Sequence, residues 1–505
     1  MSVFYRPEWT CGRYNSENRV AIFYNLIEGL SYFFEEDSAE IIGAILSYKY
    51  NERIDLNSIS ASTNTNIDDL RDFLKELTNC NLLTSTATTK EGISLYRKNL
   101  SNWKRSNPIV RNVKLEEKLP FEVSTSEMEY VDRVGGITMA MFEVTYNCSE
   151  RCIHCYNIGA TRNEEEKSYR NLGDELTITD YKRLIDELYD EGLIRVTLTG
   201  GDPFSNKYAW DIIEYLSQKG IAFDIFTNGQ RLIGLEEKLA NYYPRVVAIS
   251  LYSSDPIVHD YITRIEGSFE RSISVADKLS NLSVPLNIKC CVMQPNFKTY
   301  RGVVQIAEKL GAYPQFEFNV IDSLDGDKCV SHYLRLKESQ YKVTLRDDFN
   351  PLYVGKEVPD FGFHYKDPDS HGCGAGVNNL CVSPIGEVMP CCSFHLSFGN
   401  IKTQHIKDIL KSPLLKEWRL STLTEYEECG KKEECHYCNL CVGTGYSEHG
   451  DWKKASENNC YYARLRYEVA QSMKNNKDPL DGKSIDYWIE NEPDYIAINI
   501  KRIKG

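Results

Sequence analysis

Tyr146-Asn147-Cys148-Ser149-Glu150-Arg151-Cys152-Ile153-His154-Cys155 is the stretch on which the reading of this chain turns. Its spacing is Cys-x3-Cys-x2-Cys. Three thiolates on one short loop can hold three corners of an iron–sulfur cube and leave the fourth iron without a protein ligand. Such an iron can bind a small chelating molecule, as catalytic metal sites do when they keep a vacant position. The alternative is a zinc site. Structural zinc takes four ligands, and His154 cannot easily supply the fourth while adjacent to Cys155. The loop follows the run Met141–Tyr146, the first of six strand-like runs. The others are Ile194–Thr199, Ala222–Thr227, Val246–Leu251, Leu286–Met293 and Phe316–Ile321. Helical patterns lie between them. Asp180–Glu191 is the clearest, with Thr179 as N-cap, Tyr181, Leu184, Ile185 and Leu188 as one apolar stripe, and Gly192 at its end. Gly220 and Gly311 end the helices before the third and sixth strands. This alternation predicts an α/β fold, a parallel sheet or partial (β/α)6 barrel with right-handed crossovers. Chemistry is then expected at the C-terminal ends of the strands.

Working outward, 505 residues accommodate two to four domains, at ~100–200 residues each. The net charge of −14 is a poor match for phosphate backbones, so no nucleic-acid partner is expected. No run approaches the ~20 apolar residues of a membrane span. The start, Met-Ser-Val-Phe-Tyr-Arg-Pro, lacks the apolar core of a signal peptide. A cytoplasmic location is expected, and there the 17 cysteines should not form a disulfide framework. They are also clustered: three lie between Cys148 and Cys155 and nine between Cys373 and Cys460, which points to metal or iron–sulfur ligation.

Residues 1–115 read as a small α+β unit. Ala21–Glu36 contains two β-rich runs around Glu28-Gly29, a hairpin signal. Ser38 is expected to cap a helix with Ile41, Ile42, Ala44, Ile45 and Leu46. A second helix follows Asn66, with Leu70, Phe73, Leu74 and Leu77, and ends at Asn79 or Asn81. This order resembles a winged-helix module. Asn107–Glu127, with two prolines and many charges, reads as a linker, and the linker is drawn over 116–136. The barrel then spans 137–321, a bridge 322–370, a Cys-rich domain 371–470, and a charged helix or tail 471–505.

The cysteine loop resembles the signature of the radical S-adenosylmethionine (SAM) superfamily, in which an aromatic residue usually precedes the last cysteine; His154 fills that place. The resemblance implies a [4Fe–4S] cluster on Cys148, Cys152 and Cys155. It also implies S-adenosyl-L-methionine chelating the open iron through its amino and carboxylate groups. One electron from a low-potential donor would break a carbon–sulfur bond, and the 5′-deoxyadenosyl radical would abstract a substrate hydrogen. Gly200-Gly201-Asp202-Pro203 resembles the family's Gly-Gly-Glu motif, with Asp202 in place of glutamate. Thr227-Asn228-Gly229 is a turn that recurs in the family at this place, Ser250 resembles the family serine that contacts the cofactor, and His259-Asp260, Arg264 and Gly267-Ser268-Phe269 resemble a stretch common in the subfamily that carries a SPASM domain. The resemblance thus implies cofactor contacts from His154, Gly200, Gly201, Asp202, Asn228, Ser250 and Arg264; turn or capping roles are the alternative.

The second cysteine group resembles the SPASM domain, which holds auxiliary [4Fe–4S] clusters. Cys373, Gly386 and Cys391 match its first half, and Cys381–Cys391 suggests a tight hairpin. The spacing Cys429-x5-Cys435-x2-Cys438-x2-Cys441 departs from the usual Cys-x2-Cys-x5-Cys-x3-Cys. By order, one cluster would use Cys373, Cys381, Cys391 and Cys441, and the other Cys429, Cys435, Cys438 and Cys460. Cys392 can replace Cys381, and Cys435-x2-Cys438-x2-Cys441 alone also reads as a zinc knuckle half-site. Cys290 and Cys291 read as packing residues, and Cys11, Cys80 and Cys329 as structural.

SPASM enzymes generally act on peptides or proteins. The N-terminal unit resembles the leader-recognition element of ribosomal-peptide maturases, whose small sheet accepts the precursor's leader as an added strand. The combined expectation is a radical SAM maturase that installs an oxidative crosslink (thioether, carbon–carbon or ether) in a precursor peptide. Two other readings compete. One is a sulfatase-maturase-like oxidation of a Ser or Cys in a protein client. The other is a non-catalytic, zinc-stabilised peptide-binding scaffold.

Overall fold

The computed structural model describes residues 3–107, 124–157, 174–322, 330–350, 371, 373–426, 429–493 and 495. Strands β1 (Thr10–Asn15), β2 (Val20–Asn25) and β3 (Leu30–Glu35) form an antiparallel sheet in the order β1-β2-β3. β2 and β3 are the hairpin read around Glu28-Gly29. β1 is an addition to the sequence reading, since Thr-Cys-Gly-Arg-Tyr-Asn carries little apolar alternation. Helices α1 (Glu36–Leu46), α2 (Leu56–Thr63) and α3 (Ile67–Asn79) cover one face, packing Ile42, Ile45, Leu70 and Leu74 on Ala21 and Phe23. α1 starts before its expected cap, because Ser38 Oγ donates to Glu35 O rather than accepting from the helix.

The other face of the sheet is also buried. Trp9, Ile22, Tyr24 and Leu26 pack with Ile93 of α4 (Lys90–Ser106), Tyr130 of α5 (Thr125–Val134), and Ile194 and Ala222 of the next domain. α5 corrects the expected linker. Its capping box pairs Ser124 Oγ with Glu127 N and the Glu127 carboxylate with Ser124 N, so residues 124–134 form an ordered helix against β2 and β3. Residues 108–123 lie outside the described residues.

The barrel runs β4 (Met139–Thr145), α6 (Ile178–Asp190), β5 (Arg195–Gly200), α7 (Ala209–Gln218), β6 (Ala222–Thr227), α8 (Glu236–Ala240), β7 (Val246–Ser250), α9 (Pro256–Thr263), α10 (Ser268–Asn281), β8 (Leu286–Cys291), α11 (Tyr300–Leu310) and β9 (Tyr313–Glu317). Its six strands are parallel neighbours in chain order. Several boundaries shift from expectation, and two of the shifts have a visible cause. Thr177 rather than Thr179 caps α6, because its hydroxyl accepts from Asp180 N while Asp180 accepts from Thr177 N. The sixth strand ends at Glu317, whose carboxylate accepts from Phe318 N and Asn319 N and turns the chain out of the sheet. Successive strand residues point to opposite faces. Phe142, Val144, Leu198, Ile225, Ile249, Ile288, Cys290 and Phe316 pack beneath the helices, and their neighbours Glu143, Lys289 and Glu317 face the lumen.

Helices α12 (Val330–Leu334) and α13 (Glu338–Thr344) occupy the described part of the bridge; Cys329 and residues 351–370 lie outside it. The Cys-rich region then adds β10 (Asn379–Val382), β11 (Glu387–Met389) and β12 (Gly399–Asn400). β10 runs parallel to β4, with Cys381 opposite Met141, so the barrel sheet continues to nine strands, β12-β11-β10-β4-β5-β6-β7-β8-β9. Helices α14 (Ile406–Ile409), α15 (Pro413–Leu420), α16 (Val442–His449), α17 (Glu457–Lys474) and α18 (Ile485–Asn491) follow. Among the described residues no helix is long and apolar enough to cross a membrane.

Candidate active site

The first cysteine loop leaves β4 at its C-terminal end and is pinned from two sides. Arg151 N and Ile153 N donate to Thr263 O and Ile262 O at the end of α9, both at 2.9 Å. Opposite, Gly201 N donates to Thr145 O at 2.6 Å and Asp202 N to Asn147 O at 2.9 Å. Only glycine fits here. A Cβ on Gly200 would stand 2.2 Å from Thr145 O, and one on Gly201 2.4 Å from Asn147 O. Asp202 is fully buried and its carboxylate is saturated. It accepts from Phe204 N at 3.0 Å, Thr227 Oγ1 at 2.6 Å and Asn228 N at 3.0 Å, tying the ends of β5 and β6 together. Asn228, so placed, turns Nδ2 onto Cys148 Sγ at 3.3 Å, and Glu150 N donates to the same sulfur at 3.3 Å.

Cys152 is buried, with Sγ 3.6 Å from Glu150 Oε2. The His154 ring meets Tyr252 edge-on at 4.5 Å, and its Nδ1 is buried without a hydrogen-bond partner. Burial brings His154 down to about 4, so it is neutral. Tyr252 stacks on His259, whose Nδ1 accepts from Tyr252 N at 3.1 Å. Ser250, at the end of β7, hydrogen-bonds the Tyr252 side chain. Asp260 accepts from Ser268 Oγ and Phe269 N at the start of α10. Arg264 does not join this group: it is exposed, in the left-handed C-cap of α9 with φ 57°.

Burial pushes the Cys148 thiol up to about 12, with Asp202 adding to the effect, and Cys152 also rises through burial. Without metal both are protonated, and ligation by iron must release those protons. The donor set fits a cluster: three soft thiols on one loop, one of them already receiving two N–H donors. Hydrogen bonds to cluster sulfurs help set the reduction potential.

The second cysteine group falls into two neighbourhoods, seen in how the thiols raise one another beyond the main effect of burial. Cys391 feels Cys392, Cys441 and Cys373, and Cys381 feels Cys392 and Cys391. Cys438 feels Cys460, Cys429 and Cys435, with Arg466 opposing. Cys460 is exposed on α17; the other eight are partly or wholly buried. Among the described residues no three His, Cys, Asp or Glu side chains are grouped as a single metal ion would need; a cubane spreads its thiolates over separate irons.

Between the two cysteine regions lies a polar lumen that the sequence reading passed over. Glu143 of β4 is fully buried; its Oε2 accepts from Tyr146 OH at 3.2 Å and its Oε1 has no partner. Lys289 of β8 lies over the Phe226 ring at 3.8 Å. The signal for Glu143 was present: a lone charge inside the apolar strand that feeds the cysteine loop.

Comparison with known proteins bears on the same two regions. The radical SAM superfamily model matches residues 142–299, and the SPASM model, an iron–sulfur cluster-binding domain, matches residues 373–441. The chain is a radical SAM enzyme with a SPASM domain. Its cofactors are S-adenosylmethionine and iron–sulfur clusters. This radical SAM enzyme is 28% identical over 335 residues to the antilisterial bacteriocin subtilosin biosynthesis protein AlbA of Bacillus subtilis (strain 168), covering 64% of the chain and 71% of AlbA. It is 25% identical over 345 residues to the AdoMet-dependent heme synthase of Methanosarcina barkeri, covering 64% of the chain and 95% of that protein. Its fold is similar to that of Streptococcus suis SuiB bound to S-adenosylmethionine. The TM-score is 0.52 at 14% identity, over 90% of this chain and 99% of SuiB.

Proposed function

We propose that this radical SAM enzyme is a peptide maturase that binds a ribosomally made precursor through its leader and closes an oxidative crosslink in it. A thioether, a carbon–carbon link or an ether fits the chemistry. The N-terminal sheet carries the reading. β3 is an edge strand, and among the described residues no strand pairs with its outer side. Tyr32 and Phe34 of β3 are half-buried, and Phe34 meets Phe73 of α3 edge to face at 6.0 Å. An extended leader added to this edge gains main-chain hydrogen bonds, with aromatic contacts for selectivity. A small-molecule substrate would leave such an edge without a use, and an enzyme oxidising a Ser or Cys of a protein client would not need it. AlbA is named for the biosynthesis of a bacteriocin, and SuiB has also been solved bound to its precursor peptide SuiA. Both support a peptide substrate here.

In this reading Cys148, Cys152 and Cys155 hold the cluster that binds S-adenosylmethionine. Gly200, Gly201, Asn228 and Ser250 line its approach. Auxiliary clusters sit on Cys373, Cys381 or Cys392, Cys391 and Cys441, and on Cys429, Cys435, Cys438 and Cys460. Together these groups supply the 5′-deoxyadenosyl radical and accept an electron, fed by a low-potential donor in the cytoplasm. The test is to incubate anaerobically reconstituted protein with S-adenosylmethionine, a reductant and a precursor peptide, and to weigh the product. Loss of two hydrogens from the full precursor, and none from a leaderless core, is expected. Equal processing of both would favour the sulfatase-maturase-like alternative.

A further inference from the structure

We propose that the leader this enzyme recognises is cationic, with the pattern basic–x–apolar–x–basic in the strand that joins β3; this names the partner's chemistry in the peptide-maturase reading above and rests on it. α3 and α5 lie on opposite faces of β3. On one face Phe34 meets Phe73, and Tyr32 hydrogen-bonds Cys80. On the other, Ser31 Oγ and Ser124 Oγ are 2.6 Å apart and Arg133 pairs with Glu35 at 2.6 Å. The side chains of an added strand alternate between these faces, so every second one turns to the flank of α3 that carries Phe73. Asp69 and Glu76 share that flank, about one turn before and one turn after Phe73. Both are exposed, and among the described residues neither has an ion-pair partner. The basic residues of α3 do not neutralise them, because Arg71 is paired with Asp68 and Lys75 with Asp72. The unpaired edge therefore presents an aromatic contact between two free carboxylates. These stand about 10 Å apart along the helix, at ~1.5 Å per residue. Strand positions i and i+4 are about 13 Å apart, at ~3.3 Å per residue, and the long stems of lysine or arginine close the difference. The residue between them, i+2, meets Phe34 and Phe73 and is apolar. An acidic side chain at i or i+4 would face like charge.

The experiment uses the complete, reconstituted enzyme and three fluorescein-labelled peptides that differ only at their centres: Lys-Thr-Leu-Thr-Lys, Thr-Lys-Leu-Lys-Thr and Glu-Thr-Leu-Thr-Glu. The first two have the same composition and charge, so their difference reports position rather than general attraction to an acidic protein. In fluorescence anisotropy at low ionic strength, the first should bind about tenfold tighter than the second, as two exposed charge pairs permit. The glutamate peptide should bind weakest, and added salt should level the ranking. Asp69→Asn combined with Glu76→Gln should erase the difference between the two lysine peptides. Asp69→Lys combined with Glu76→Lys should make the glutamate peptide the tightest. The wild-type ranking carries the test by itself if either variant does not fold. Equal affinity of the two lysine peptides for the wild type, no binding of the first, or an unchanged ranking once Asp69 and Glu76 are neutralised overturns the inference. A leader that lacks the pattern yet directs crosslinking also overturns it and leaves the maturase reading standing. Binding of the first peptide with no hydrogens lost from any precursor would instead sink the maturase reading, and the assignment of this edge to a leader with it.

Discussion

A single methyl group is enough to probe the cysteine loop. Gly201→Ala would drive a Cβ to 2.4 Å from Asn147 O, backbone against backbone, so strand end and loop must part. We expect the variant to lose the iron and sulfide of one cluster and to cease cleaving S-adenosylmethionine, as read by metal analysis and 5′-deoxyadenosine release. A full iron complement would mean the loop tolerates the shift. Replacing Cys148, Cys152 and Cys155 together by Ala should abolish cleavage yet leave the clusters of the Cys-rich region, close to two per chain when both sites fill. Iron-free triple variant, or zinc alone, would contradict auxiliary iron–sulfur clusters. At this scale the sequence spoke where chemistry dictates residue type: thiols for iron, glycines for contact. It named Asp202 and Arg264 as cofactor contacts, but not the three donors that Asp202 takes from separate segments, nor that the backbone of Thr263 pins the loop while the Arg264 side chain beside it is exposed.

The element that sequence reading most misjudged is α5. Prolines and charges upstream made Asn107–Glu127 look like a linker, although Ser124-x-x-Glu127 is itself a helix-start signal. Glu127 also accepts from Tyr24 OH of β2 at 2.9 Å and faces Arg195 of β5 at 3.6 Å, which faces Asp224 at 3.4 Å; Arg245 Nε in turn donates to Asp224 at 2.8 Å. Burial alone would raise Glu127, but Arg195 and Arg245 overcome it and hold the carboxyl below its usual range. A depressed carboxyl stabilises the fold fully above the free glutamate value, about 4.3, and the contribution drains as pH falls through the folded value. Glu127→Gln should therefore lose about 3 kcal/mol near neutral pH, as when one partner of a buried pair is removed. The gap in urea midpoint between the metal-free proteins should close as the pH is taken below about 4; a constant gap would place the effect elsewhere. At the edge strand, Phe34→Ala should weaken leader binding about tenfold in fluorescence anisotropy, in line with the loss of a buried aromatic anchor. Deleting residues 1–115 is a poorer test, because it would also strip Trp9, Ile22 and Tyr24 from Ile194 and Ala222.

On the scale of the whole molecule, the six parallel strands were legible because burial on both faces imposes long apolar runs. The Cys381–Cys391 hairpin was legible too, and forms as β10 and β11, but its pairing to β4 and the addition of β12 were not: these strands are two to four residues long, too short for periodicity to register. Nor does sequence reveal that the N-terminal sheet packs against the starts of β5 and β6, at the end of the barrel opposite the cysteines. On the maturase reading, a leader held on β3 is tethered at that end, while its reactive residues must reach the cysteine loop at the other. The wall is five to seven residues of strand high, roughly 20 Å at ~3.3 Å per residue. An extended tether needs at least about six residues for the climb alone. Precursors whose spacer is cut below this should still bind in anisotropy yet emerge unmodified by mass spectrometry, and a precursor with no spacer that is processed normally would show that the leader sits elsewhere. On the maturase reading, the distance from leader to modified residue becomes a ruler built into the peptide, graduated by the height of the barrel.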